Sequence, residues 1–172
     1  EHFGLFGKLE NATISNLKVR RVNLVGNGNA LIYAGVIAGT ASNSTINNVH
    51  VSANLTMTNT VNVMHVGMLV GYATNLQLMD SSAVGYMVIN GASINAGSLV
   101  GTLLVDGDGQ STVEGNVAFV DAKVKANEIV ADYIVGNTSV EIGANMFLKS
   151  SLFVIDIDND VKSILSTSSQ GT

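Results

Sequence analysis

The sequence predicts an all-β fold, a parallel β-solenoid of about five coils, and three observations predict it. A short glycine-closed phrase returns five times along the chain. The runs that follow it alternate apolar with polar residues and are rich in Val, Ile and Thr, the rhythm of strands rather than helices. Only 12% of the 172 residues are charged, too few to solvate several amphipathic helices through a Glu and Lys surface.

The phrase reads Phe3-Gly4-Leu5-Phe6-Gly7, Gly35-Val36-Ile37-Ala38-Gly39, Gly67-Met68-Leu69-Val70-Gly71, Gly97-Ser98-Leu99-Val100-Gly101 and Asp132-Tyr133-Ile134-Val135-Gly136. Its closing glycines, Gly7, Gly39, Gly71, Gly101 and Gly136, lie 32, 32, 30 and 35 residues apart. The coils therefore start near residues 3, 35, 67, 97 and 132, giving a solenoid domain over 1–165 and a tail over 166–172. A corner that repeats in every coil calls for glycine, which tolerates a positive φ or a close backbone approach. Leu5, Ile37, Leu69, Leu99 and Ile134 are expected to stack as an internal ladder, one rung per coil. Phe6, Ala38, Val70, Val100 and Val135 follow at once and are also apolar. Adjacent strand residues point to opposite faces, so one ladder sits at a bend or meets a second apolar surface.

Each anchor is followed by a polar gap and an alternating run. Coil one has Thr13-Ile14-Ser15-Asn16-Leu17-Lys18-Val19, and coil two repeats it as Thr45-Ile46-Asn47-Asn48-Val49-His50-Val51, offset by 32. The apolar rhythm of Ile14, Leu17, Val19, Val22 and Leu24 is mostly two-residue, with a slip after Ile14. Coil three continues in the same register as residues 77–83, and coil four as residues 112–117 after a turn-forming Asp106-Gly107-Asp108-Gly109 insertion. Coil five, with Ser139-Val140-Glu141-Ile142, aligns in more than one way. Each coil is about three short strands joined by turns, stacked in register at about 4.8 Å.

The combination of the glycine phrase with Thr-Ile-x-Asn-Leu/Val-x-Val resembles the GLUG repeat, found in tandem in large secreted and cell-surface proteins. The resemblance is clear over residues 3–60, moderate over 66–101 and loose beyond about 105. Phe3 and Asp132 depart from it where the other copies have glycine. It implies a right-handed parallel β-helix, an extracellular or cell-surface setting, and no chemistry of its own.

Composition sets further bounds. The net charge is −5 with eight Lys and Arg; the one basic cluster, Lys18, Arg20 and Arg21, is too small for a nucleic-acid footprint and reads as an exposed strand face. No apolar run approaches the roughly 18 residues of a membrane-spanning helix. Cysteine is absent, so no disulfide framework exists, and proline is absent, as dense strand pairing favours. The chain opens on Glu1 and almost at once on a repeat, which reads as a stretch of a longer protein. The tail, low in hydrophobicity, reads as a linker or frayed end.

No residue pattern points to catalysis. Of the three histidines, His50 lies between Val49 and Val51 on an alternating strand and points outward. A carbohydrate-cleaving β-helix would cluster carboxylates on one strand face; Asp121, Lys123 and Lys125 come nearest and read as a charged outer face. Asp156-Ile157-Asp158-Asn159-Asp160 opens like a calcium loop but lacks the glycine and the closing glutamate. Catalytic, cofactor and metal residues are therefore expected to be absent. Four glycosylation sequons start at Asn11, Asn43, Asn54 and Asn137; Asn11, Asn43 and Asn137 follow an anchor glycine, at an expected corner. The expected function is a non-catalytic stalk or lateral binding surface of an extracellular protein, with surface proteins or glycans as partners. A carbohydrate-active β-helix and a filament subunit stacking end to end are the alternatives.

Overall fold

Residues 49–59 alternate buried and half-buried positions without a break, which requires one side of an extended strand to face an apolar interior. In the computed structural model this pattern recurs coil after coil, and the chain is an all-β solenoid of about 5 turns with no helix among the described residues. The structure describes residues 1–148, together with the strand backbone of 153–157 and 164–165. The expected linker at 166–172 lies outside the described residues, as do residues 158–160 of the acidic stretch.

The strands are β1 (His2–Phe3), β2 (Phe6–Glu10), β3 (Thr13–Asn27), β4 (Ile32–Ala34), β5 (Ala38–Val66), β6 (Val70–Met79) and β7 (Ser82–Gly97). They continue with β8 (Val100–Leu104), β9 (Thr112–Glu114), β10 (Val117–Asp132), β11 (Val135–Thr138), β12 (Met146–Phe147), β13 (Phe153–Ile157) and β14 (Ile164–Leu165). Pairing among them is parallel, as in β3 with β5, β5 with β7 and β7 with β10. The register follows the sequence repeat: Thr13 pairs with Thr45, Thr45 with Gln77 and Gln77 with Thr112. Inward rungs include Leu55, Met87 and Ala122, and beside them Met57, Ile89 and Val124. Neighbouring rungs compensate in volume: where Ala122 is small, Val120 follows Ala53 and Gly85 in the next rung.

Ile37, Leu69, Leu99 and Ile134 are fully buried, each in a two-residue bend, and Ala38, Val70, Val100 and Val135 are buried at the start of the strand that follows. The bend explains how consecutive residues both reach the interior. Leu5 does not join this ladder: it is 60% exposed, because its coil is covered by a neighbour on one side only. The anchor glycines serve by close approach and not by positive φ. A Cβ on Gly71 would meet the amide nitrogen of Ala34 and lie 2.8 Å from the carbonyl oxygens of Gly39 and His65. Gly39, Gly101 and Gly136 are crowded in the same way, whereas Gly7 in the first coil would meet only the His2 Cβ, at 3.7 Å.

The left-handed corners belong to asparagine. Asn11, Asn43 and Asn75 (φ 49, 47 and 53) turn one corner, and Asn16, Asn48 and Asp80 (φ 54, 53 and 49) turn the next. Asparagine tolerates this region better than other side chains. At the second corner coil four uses Gly115 instead, with φ 69. The amides form ladders outside, Asn48 donating to Asn16 Oδ1 at 2.7 Å and Asn75 to Asn43 Oδ1 at 2.9 Å. Inside the second corner, buried Ser81 accepts from the Val49 amide, Asn116 from the Ser81 amide and Asn145 from the Asn116 amide. Buried backbone donors freed by the turn are satisfied from the next coil.

Candidate lateral binding face

Among the described residues, shape, charge and exposed rings coincide on the outer side of β3, β5, β7 and β10. It starts from a fault in the ladder. Between Val19 and Val22 the register of β3 against β5 shifts, and Arg21 takes a left-handed φ of 58. A non-glycine residue there is uncommon, and a bulge of this kind re-aims its side chain. Beside the bulge lies a depression of about 310 Å³ lined by Arg21, Val22, Asn23, Ser52, Ala53, Asn54 and Gly85. Its floor depends on Gly85, at φ 144, where a Cβ would overlap the Ala53 carbonyl oxygen.

Register extends this site along the solenoid axis. Asn23, Asn54, Tyr86 and Asp121 form one outward rung, and Ser52, Val84 and Phe119 form the rung beside it. Tyr86 is 46% and Phe119 40% exposed, so two rings stand on the sheet next to a row of amides and a hydroxyl. Val84, Val117 and Met146 are also exposed, and Val117 pairs with Met146. At the equivalent places the earlier coils carry Lys18, His50, Ser52 and Asn54, so the face changes from polar to apolar along the axis. Exposed apolar clusters of this kind mark contact surfaces.

Charge is segregated on the same strands. Lys18, Arg20, Arg21, Lys123 and Lys125 are five of the eight basic residues of a chain with net charge −5. The ion pair described elsewhere, Lys8 with Glu10 at 2.6 Å, lies on β2. Asp121 stands beside Lys123 on this face, and β10 also exposes Glu128 further along the strand. The sequence grouped Lys18, Arg20 and Arg21 as an exposed strand face, and all three are exposed. It does not single out the bulge at Arg21, nor the rings of Tyr86 and Phe119. Two signals were present: the three-residue step from Val19 to Val22, which marks the bulge, and consecutive apolar residues over 117–120, which cannot all face inward.

A second cluster fills the crease beside the anchor glycines. Tyr33 and His65 stack at 5.3 Å, and Tyr72 meets them edge-on at 5.5 and 5.1 Å. His65 Nδ1 lies 2.7 Å from Thr102 Oγ1 and 3.3 Å from Asn95 Nδ2. Burial lowers the His65 pKa to about 4, so its ring is neutral at pH 7. The rings are spent on one another and on closing the crease.

The remaining candidates are placed as follows. His50 faces outward and is half-buried, with Nδ1 2.8 Å from Ser82 Oγ and Nε2 2.9 Å from Asn48 Oδ1. Residues 106–109 form a turn closed by Gly109 donating to the Asp106 carbonyl and held by both ends of the Asn75 amide. Glu114 and Glu141 line a separate depression with Thr112. Among the described residues no group of three His, Cys, Asp or Glu is placed to hold a metal. Of the sequons, Asn11 and Asn43 sit exposed at left-handed corners and Asn54 lies half-buried on β5. Asn137 is not at a corner: it lies on β11 paired with Thr102, half-buried, because the coil-five strand begins at Val135.

Fold and face together define a β-solenoid with one differentiated lateral surface. No known protein family, curated protein or solved structure matches the chain.

Proposed function

We propose that this chain is a non-catalytic binding segment of an extracellular or cell-surface protein, engaging its partner along the outer face of β3, β5, β7 and β10. The observation that carries the reading is the rung of Asn23, Asn54, Tyr86 and Asp121, which lines up hydrogen-bonding groups and an exposed ring across four coils. Stacked coils repeat at about 4.8 Å, so weak contacts to an extended partner add along the axis. The resemblance to GLUG repeats supports the surface setting and a partner among surface glycans or proteins. In this reading Asp121 is a contact residue and not a catalytic acid.

A glycan array, run beside a reducing-end release assay on the same polysaccharides, tests this. The expected result is binding that is lost on Tyr86→Ala, with no release of ends. Release that disappears in Asp121→Asn or Glu114→Gln would instead establish the carbohydrate-active alternative.

A further inference from the structure

We infer that the depression at the Arg21 bulge and the rings beside it bind an acidic polysaccharide, with Arg21 and Lys123 holding carboxylates and Tyr86 and Phe119 receiving sugar rings. The inference rests on the lateral-face reading above and names its ligand. Three features converge on one spot. The bulge turns Arg21 into a depression whose walls, Asn23, Ser52 and Asn54, supply both donors and acceptors. The volume of about 310 Å³ is at the lower end of small-ligand sites, about 300 Å³ and upward, and suits a single ring unit of a longer chain. In the next coils Tyr86 and Phe119 offer exposed aromatic faces on which the apolar side of a sugar ring can lie while its hydroxyls reach the amides.

Charge selects the acidic class. Lys18, Arg20, Arg21 and Lys123 make no ion pair with a described residue, although the whole chain is acidic. A guanidinium with neighbouring amides favours bidentate binding of a carboxylate. The cations lie at opposite ends of the face, Lys18, Arg20 and Arg21 on β3 and Lys123 on β10, with the Asn54 amide on β5 and the Tyr86 ring on β7 between them and Phe119 on β10 itself. That layout fits a polymer whose charges are spaced by neutral rings. It fits a nucleic-acid backbone poorly, because Asp121 shares the central rung with Tyr86 and the net charge of −5 opposes a dense polyanion.

The test is affinity electrophoresis of the 172-residue chain through gels containing hyaluronate, whose carboxylates fall on alternate rings, neutral galactan or oligo-deoxythymidine. Retardation is expected with hyaluronate, weakening as salt rises. Arg21→Asn removes the cation while tolerating the left-handed backbone, and it should weaken binding about tenfold or more, as loss of a charge-assisted contact does. Tyr86→Ala and Lys123→Gln should each weaken it as well, and Lys8→Gln on β2 should not. Unchanged circular dichroism and melting of each variant shows that the fold is intact. Retardation by galactan alone, lost on Tyr86→Ala, would overturn the acidic ligand while keeping the binding face. Equal or stronger retardation by the oligonucleotide would overturn the polysaccharide, and no retardation in any gel would overturn the site.

Discussion

Leu69 and Leu5 hold the same place in the repeated phrase, yet one is fully buried and the other 60% exposed. Leu69→Ala should therefore cost about 2–5 kcal/mol, as buried leucine truncations do, and Leu5→Ala should stay within about 0.5 kcal/mol; denaturant midpoints of the two variants check this. Periodicity alone makes the two residues equivalent, because a sequence repeat does not say which coils have neighbours on both sides. Ser98 carries a different message. It stands fully buried where other coils have Val36 and Met68, and its hydroxyl has no hydrogen-bond partner among the described residues. Ser98→Ala should raise stability by about 1 kcal/mol, since an unsatisfied buried hydroxyl is removed. His65 makes stability depend on pH. Its folded pKa, about 4, lies below the ordinary 6.5, so the unfolded chain binds the extra proton first. Stability from this group is full above pH 6.5 and is lost as pH falls toward 4. Melting temperature should drop across that window, and His65→Gln should flatten the drop.

At the scale of strands and corners, much was legible. The offset of 32 between coils one and two is the observed register of β3 on β5 up to Val19, and Thr112 aligns with Gln77 as the repeat implied. The slip after Ile14 is the corner at Asn16. What the sequence hid was the division of labour between glycine and asparagine. Both residue types mark turns, and only backbone geometry separates a glycine needed for close approach, such as Gly71, from an asparagine that supplies the left-handed turn. The distinction predicts opposite tolerances. Asn48→Ala should cost about 1–2 kcal/mol through its left-handed backbone and the lost bond to Asn16, whereas Asn48→Gly should cost less. Gly71→Ala, blocked by backbone on both sides, should cost more than either. Thermal unfolding of the three variants orders them.

Across the whole molecule, stacking converts a one-dimensional repeat into a surface. Residues that are far apart in sequence, such as Asn23, Asn54, Tyr86 and Asp121, become neighbours only because each coil is laid on the last in register. The candidate face was half-legible for that reason. Its cations on β3 lie close together in the sequence and can be grouped from it, whereas Lys123 and the two rings join them only through the stack. A shift of one residue would carry Tyr86 to the interior and dissolve the face. The chain has no cysteine, so engineered pairs report register without background. Thr56 and Val88 are direct partners on the face, and Lys123 is the partner of Val88 one coil further. Oxidation of the Thr56→Cys/Val88→Cys variant should form an intramolecular disulfide in high yield, since neighbouring strands lie about 4.8 Å apart. The Thr56→Cys/Lys123→Cys variant, two spacings or about 9.6 Å apart, should stay reduced. Failure of the first pair, or equal yield from the second, would contradict the parallel in-register stack on which the binding face depends.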